Sequence, residues 1–190
     1  LFGKYRVGSR VNVIGNASPS KEVYAEVIRE LQEKSMELIG IPCLYGLDQI
    51  HGASYIDGAT FFPQEINQAA TFDRNFAFEA GRVCAYETRA AMVPWTFAPV
   101  MDLGRNPLWP RMWESYGEDT YLNAEMGKAS VAGLQGDCPS DVDSLHIAAC
   151  LKHYMAYGVP QTGQDRTPSY VNDAEMREKY LEPSQQCTRA

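Results

Sequence analysis

The chain predicts an α/β fold, a partial (β/α)8 barrel amounting to roughly its first half, and three observations predict it. Helical and strand-like segments alternate along the 190 residues. The candidate strands are short, nearly all apolar and bounded by Gly or Pro, as strands covered on both faces are. The long polar loops follow the C-terminal ends of those strands, whereas returns from helix to strand, such as Gly40 and Met92–Pro94, are brief. This asymmetry is what the active face of a parallel β/α barrel produces. A doubly wound open sheet obeys the same rule, but its G-x-G-x-x-G phosphate turn is absent from this chain.

Each element has its own signal. Ser18-Pro19 predicts a helix start, and Tyr24, Val27, Ile28, Leu31, Ser35 and Leu38 recur at helical spacing until Gly40 stops it. Ile41–Leu47 is the first predicted strand and ends in Asp48. A Gly-rich loop runs through Gly58, and helical pattern follows from Pro63 to Met92 in two pieces, Asp73 capping the second. Trp95–Met101 is the second strand, opening into a loop from Asp102 to Trp113 that is dense in Arg, Trp and Pro. Asp119 caps a helix running to about Leu134, and Ile147–Leu151 is the third strand. Asn172 and Glu175 form a capping box for a last helix that Pro183 interrupts. Three strands cannot close an eight-stranded barrel, so residues 1–190 are expected to be the N-terminal part of a barrel domain whose remainder lies elsewhere. A half-barrel alone leaves a strand edge uncovered and is expected to be marginal or to aggregate.

Composition narrows the partners. A formal charge of −7 argues against nucleic acid or an anionic membrane surface, both of which select basic patches. No window approaches the roughly 18 apolar residues of a membrane span, so no membrane insertion is expected. The five cysteines show no C-x-x-C spacing and mostly sit in apolar segments that read as core, so they define neither a disulfide framework nor a compartment. A leader ahead of Leu1 would make the protein periplasmic or secreted. With only His51, His146 and His153 and no H-x-x-x-H pair, no metal site is expected, and nothing implies a cofactor.

The segment Ala148–Pro168 carries the chemistry. An apolar run ends in Lys152 and His153, followed by Asp165 and Arg166. Buried cations are costly unless paired, so a Lys-His pair at a strand end has hydroxyls, carboxylates or phosphates to bind. Three readings stand open for Lys152: hydroxyl recognition, imine chemistry in a barrel aldolase, and phosphate binding. Asp48, at a strand end on the same face, is a candidate carboxylate, and His51 three residues on is a turn residue or a ligand. Arg105 and Arg111 flank a Pro-stiffened loop with Trp109, and both Trp109 and Trp113 suit either stacking on a sugar face or core packing. Glu114, Glu118 and Asp119 read as orienting the arginines or capping the next helix.

Four segments together are similar to one family: GLDQIHG (Gly46–Gly52), TFFPQ (Thr60–Gln64), WTFAPVMDLGRNPLWPRMWESYGED (Trp95–Asp119) and ACLKHYMAYGVPQTGQDRTP (Ala149–Pro168). They resemble the N-terminal barrel domain of glycoside hydrolase family 3, in its β-glucosidase branch. The resemblance implies retaining hydrolysis of terminal non-reducing β-D-glucosyl residues, a β-glucoside or β-gluco-oligosaccharide substrate, and a C-terminal α/β domain. It implies that Asp48, Arg111, Lys152, His153 and Arg166 bind the sugar's hydroxyls, with Arg105, His51, Trp109 and Glu114 in support. It places no catalytic residue in this chain. The family's nucleophile is an Asp in a later strand-end motif, expected beyond Ala190, and Ser140-Asp141-Val142 does not match that motif. The chain alone is therefore expected to be inactive, with a carbohydrate-binding fragment as the non-enzymatic alternative. Asp165-Arg166, where the hexosaminidase branch carries Asp-x-His, favours the glucosidase branch.

Overall fold

A computed structural model describes residues 2–15, 17–136 and 142–188. Cys138, Ser140 and Asp141 lie outside the described residues. After a short helix α1 (Phe2–Tyr5), the strands β1 (Ser9–Val11), β2 (Leu44–Leu47) and β3 (Trp95–Thr96) pair in parallel in the order β1-β2-β3. β1 was not expected from the sequence, because its three residues are all exposed and carry no apolar alternation. β2 is shorter than predicted: Pro42 has no N–H to give a ladder, and pairing begins when Leu44 N donates to Gly8 O at 2.9 Å. The Gln32 side chain holds the approach, accepting from Cys43 N at 2.8 Å and donating to Cys43 O at 2.6 Å.

The predicted third strand is not a regular strand. Residues 147–152 run parallel beside β3, joined by the isolated bridges Trp95↔Ala148 and Val100↔Lys152. Pro94 and Pro99 each lack a donor, which breaks the ladder into pieces, although Cys150 N still donates to Ala98 O at 3.0 Å and Ala148 N to Pro94 O at 2.9 Å. The segment nonetheless occupies the position of a fourth stave, and the whole is an α/β partial barrel.

Capping set most helix limits where the sequence put them. α2 (Lys21–Ile39) starts two residues later than predicted, with Ser20 rather than Ser18 as the cap, and ends at Gly40, whose φ of 75° is the left-handed conformation that glycine takes most easily. After α3 (Glu65–Ala69), Asp73 caps α4 (Arg74–Ala90) through Asn75 N at 2.9 Å, and Asp119 caps α5 (Thr120–Gln135) through Leu122 N at 2.7 Å. Asn172 caps α6 (Asp173–Glu175) through Glu175 N at 3.0 Å, but Glu175 reaches Lys179 instead of completing a capping box. Pro183 does not end the last helix. It sits in the first turn of α7 (Glu182–Thr188), where a missing N–H is tolerated, behind a π-helical stretch, Met176–Leu181.

Burial is distributed along the layer between helices and staves rather than gathered in one core. Tyr24 and Ile28 of α2 pack with Tyr45 and Leu47 of β2 and with Val93, each such fully buried side chain stabilising by about 1.5–3 kcal/mol. Cys84 and Ala85 of α4, Leu134 of α5, Ala98 and Ile147 form a second cluster. α4 and α5 touch backbone to backbone: a Cβ on Gly81 would stand 2.7 Å from Ser130 O, and one on Gly133 would stand 2.9 Å from Arg82 N. Cys43, Cys84 and Cys187 are buried and unpaired, as core cysteines are.

Candidate active site

The C-terminal ends of successive staves converge on one cleft. Asp48 follows β2, Asp102 follows the extended segment after β3, and Lys152 and His153 end the fourth stave. Lys152 Nζ donates to Asp48 Oδ1 across 104 residues of chain. The Lys152 side chain is 12% exposed and that of Asp48 39%. A largely buried ammonium is thus neutralised by a carboxylate that still faces solvent, able to accept from a hydroxyl.

His153 is held from behind. Asp102 Oδ2 lies 2.7 Å from its Nδ1 and accepts its backbone N–H at 2.9 Å, and the Asp102 side chain is 0% exposed. A carboxylate only accepts, so Nδ1 carries the hydrogen, and Nε2 is left as a lone pair facing Arg111 Nη1 at 3.3 Å. The ring thereby serves as an acceptor inside the site, not as a second donor beside Lys152.

Arg111 is fixed by a two-pronged pair with Glu114: Nε donates to Oε1 at 2.9 Å and the far guanidinium nitrogen to Oε2 at 2.5 Å. Glu114 is the main reason the guanidinium's proton affinity rises further above its ordinary value. The turn from Arg111 through Glu114, a single 3-10 turn over Met112–Glu114, makes this local pairing possible. Arg111 also donates to Tyr157 Oη at 3.5 Å, and Tyr157 in turn donates to Asp165 Oδ1. Burial first, and then the Asp165 carboxylate, push the Tyr157 phenol up, so it remains a donor. Lys152–Asp48, Asp102–His153–Arg111–Glu114 and Tyr157–Asp165 are therefore one polar surface.

These groups border a cleft of about 350 Å3 lined by Asp48, His51, Tyr55, Arg111, Asp165 and Arg166 among others. That volume is at the small end of ligand pockets. A wider groove of about 550 Å3 lies between the Lys152–His153 segment and α7, bordered by Ala149, Leu151, Leu181 and Thr188. It presents no carboxylate, its other polar groups being the uncharged Tyr154, Ser184, Gln185 and Thr188, so the smaller cleft with its paired ions is the candidate site. Burial, followed by Asp48 and Glu114, pushes the Tyr55 phenol up and keeps it a donor on the cleft wall.

Of the residues singled out from sequence, Asp48, His51, Arg111, Glu114 and Arg166 line the cleft. Lys152 and His153 join it through Asp48 and Arg111. His51 points Nδ1 at Phe62 O, 2.8 Å away, so that nitrogen donates. Arg166 has a left-handed φ of 61° and a side chain 84% exposed, standing on the rim 3.7 Å from Asp165. Its loop is tied by Gln161 N donating to Pro168 O at 3.0 Å. Arg105 and Trp109 are not brought to the cleft. Arg105 is exposed, and Trp109, 2% exposed, lies in the core edge-on to Tyr157 and cannot stack on a sugar. Trp113 is half exposed.

Asp102, Tyr157 and Asp165 are the residues the sequence reading missed or underrated. Asp102 follows an apolar strand candidate just as Asp48 does, and that position was the available signal. Tyr157 had none, since its value lies in reaching groups from two other segments. Among the described residues no group of three or more His, Cys, Asp or Glu side chains could hold a metal ion, and no helix is long and apolar enough to cross a membrane.

Fold and cleft together define a partial β/α barrel with a polar cleft, lined by paired ions, at the C-terminal ends of its staves. The family is more specific: the model of the glycosyl hydrolase family 3 N terminal domain matches residues 1–190, and the chain belongs to that family. It is 41% identical over 146 residues to a lysosomal beta glucosidase of Dictyostelium discoideum, covering 74% of this chain and 18% of that protein. A periplasmic beta-glucosidase of Salmonella typhimurium is 33% identical over 158 residues, covering 82% of this chain and 20% of the relative. Among solved structures, the beta-glucosidase of Listeria innocua in complex with isofagomine superposes with a TM-score of 0.83 at 33% identity, covering 96% of this chain and 24% of that one. The chain thus spans about a fifth of the length of the curated relatives it matches.

Proposed function

We propose that this chain is the N-terminal part of a family 3 barrel domain, and that it supplies the sugar-binding half of the active site of a retaining β-glucosidase acting on terminal non-reducing β-D-glucosyl residues. The observation that carries this is the meeting of Asp48 and Lys152, from separate staves, beside the Arg111–Glu114 pair and the Tyr157–Asp165 pair. Vicinal hydroxyls need an acceptor flanked by fixed donors, and this surface offers both at one monosaccharide-sized cleft. Asp48 accepts from one hydroxyl while Lys152 and Arg111 donate to its neighbours. A sugar hydroxyl takes the place of the long Arg111 contact at His153 Nε2, and Arg166 closes the rim. Donors to the ring hydroxyls strengthen as the oxocarbenium-like state forms.

Retaining hydrolysis also needs two carboxyl groups about 5–5.5 Å apart, one of them free to attack. Asp48, Glu114 and Asp165 each already engage a cation or a phenol. We accordingly place the nucleophile and the acid/base outside this chain, the nucleophile on an Asp of a later strand end. The aldolase alternative is disfavoured because imine formation needs an unencumbered neutral amine, whereas Lys152 is ion-paired.

The full product of the gene is expected to hydrolyse an aryl β-glucoside in preference to an aryl β-xyloside, with retained anomeric configuration by NMR. The 190-residue chain alone is expected to show no turnover. Absence of glycosidase activity in the full product, or turnover by the chain alone, overturns the respective half of the proposal.

A further inference from the structure

Glu65 is a buried acid that no step above uses. It opens α3, is 1% exposed, and its Oε1 accepts the Val100 backbone N–H at 3.1 Å. Its Oε2 has no partner among the described residues. Val100 is the bridge partner of Lys152, and backbone bonds flank the bridge on both sides: Met101 N donates to Lys152 O at 2.5 Å and Lys152 N to Pro99 O at 3.2 Å. Two residues beyond Val100 stands Asp102, which grips His153. One carboxyl therefore holds the backbone junction from which both sugar-facing side chains of the fourth stave are set.

We propose that Glu65 is a positioning residue for Lys152 and His153, its carboxyl fixing through Val100 N–H the strand end that carries Asp102 and receives Lys152. The assignment rests on the sugar-site reading above for its consequence, but not for its geometry. Around the carboxyl stand Lys152, Glu114, Asp102, the Tyr116 phenol and the Cys187 thiol. Burial, with Glu114 and Asp102 adding to it, pushes the carboxyl well above the usual range against the pull of Val100 N–H and Lys152. Burial thus favours the neutral form of the carboxyl, which accepts from Val100 N–H without adding to the carboxylates already around Lys152. Its role differs from that of ordinary core packing in one respect: a neutral amide of the same shape replaces it, and an alkyl group of similar bulk does not.

The test compares Glu65→Gln and Glu65→Leu in the full product of the gene, with Glu65→Ala as a substitute should the leucine variant be insoluble. Backbone amide exchange is read at Val100 and His153, glucose affinity by calorimetry, and melting temperature from pH 5 to pH 8. Glutamine is expected to keep the protection of both amides and glucose affinity within threefold. Leucine or alanine is expected to expose both amides and weaken glucose at least tenfold. Native Glu65 holds a proton that the unfolded chain releases, so the wild type loses stability as pH rises from the ordinary carboxylate range, and Glu65→Gln gains on it across the series. Equal His153 protection and equal affinity in all variants, with only a uniform fall in melting temperature, reduces Glu65 to a core residue and overturns the proposal. A wild type that binds no glucose defeats the sugar-site reading instead, and the exchange pattern then decides the role of Glu65 alone.

Discussion

Replacing Asp102 by alanine removes two hydrogen bonds at once, from His153 N at 2.9 Å and from His153 Nδ1 at 2.7 Å. Hydrogen bonds to a charged group contribute about 1.5–3 kcal/mol each. Against this, Asp102 Oδ1 is buried with no partner among the described residues, and deleting it relieves about 1–3 kcal/mol. Taken at like ends of the two ranges, the net loss is about 2–3 kcal/mol, a large share of a domain stability of about 5–15 kcal/mol. Urea unfolding of the full gene product measures it as a fall in midpoint at constant slope. Asp102→Asn separates positioning from stability. Both bonds end on Oδ2, so an amide oxygen in that place still accepts from His153 N and from Nδ1, while its NH2 group takes the buried place of Oδ1. Asparagine is therefore expected to cost only about 1–2 kcal/mol of stability, the difference between charge-assisted and neutral hydrogen bonds, and to keep glucose affinity within about threefold, whereas alanine frees the ring and weakens glucose about tenfold. An alanine variant within about 0.5 kcal/mol of wild type, the range of an indifferent surface change, or an asparagine variant that loses tenfold in affinity, would refute this account of His153.

Gly133→Ala drives a methyl against Arg82 N and the Phe78 carbonyl where α4 and α5 cross. We expect a loss near 3 kcal/mol, the upper part of the overpacking range, while Gly8→Ala, with nothing within 4 Å of the added carbon, should change the stability measured in urea by less than about 0.5 kcal/mol; equal effects would disprove the close crossing. Burial pushes the Cys84 and Cys187 thiols up to about 12, so iodoacetamide at pH 8 should leave both unlabelled in the native protein and label both in urea, and rapid native labelling would contradict their burial. Trp109→Phe should preserve glucose affinity and cost less than about 1.5 kcal/mol, because the indole N–H has no partner among the described residues, whereas Trp109→Ala should cost about 3–5 kcal/mol. A tenfold affinity loss in the phenylalanine variant would return this indole to the sugar.

What the sequence made legible was local. Asp73, Asp119 and Asn172 cap helices as their spacing indicates, because a cap and its N–H partners lie two or three residues apart. Gly40 ends α2 for an equally local reason. The strand-like apolar runs and the polar residues behind them located Asp48 and the Lys152–His153 segment, since alternation of polarity at a strand end is written in consecutive residues. Prolines misled the reading of strand length: Pro42, Pro94 and Pro99 leave an apolar run looking continuous while removing the donors a ladder requires.

The α/β barrel grammar, the caps and the polarity of each loop were thus determined by the chain itself, since nearest neighbours suffice to produce them. Tertiary structure alone decided that Asp48 meets Lys152 across 104 residues, that Asp102 rather than a nearer group holds His153 across 51, that Trp109 is core, and that Glu65 lies beneath the site. Burial and pairing depend on where independent staves come to lie side by side, and a carboxylate's partner, its charge and its exposure take their values only once that packing has occurred.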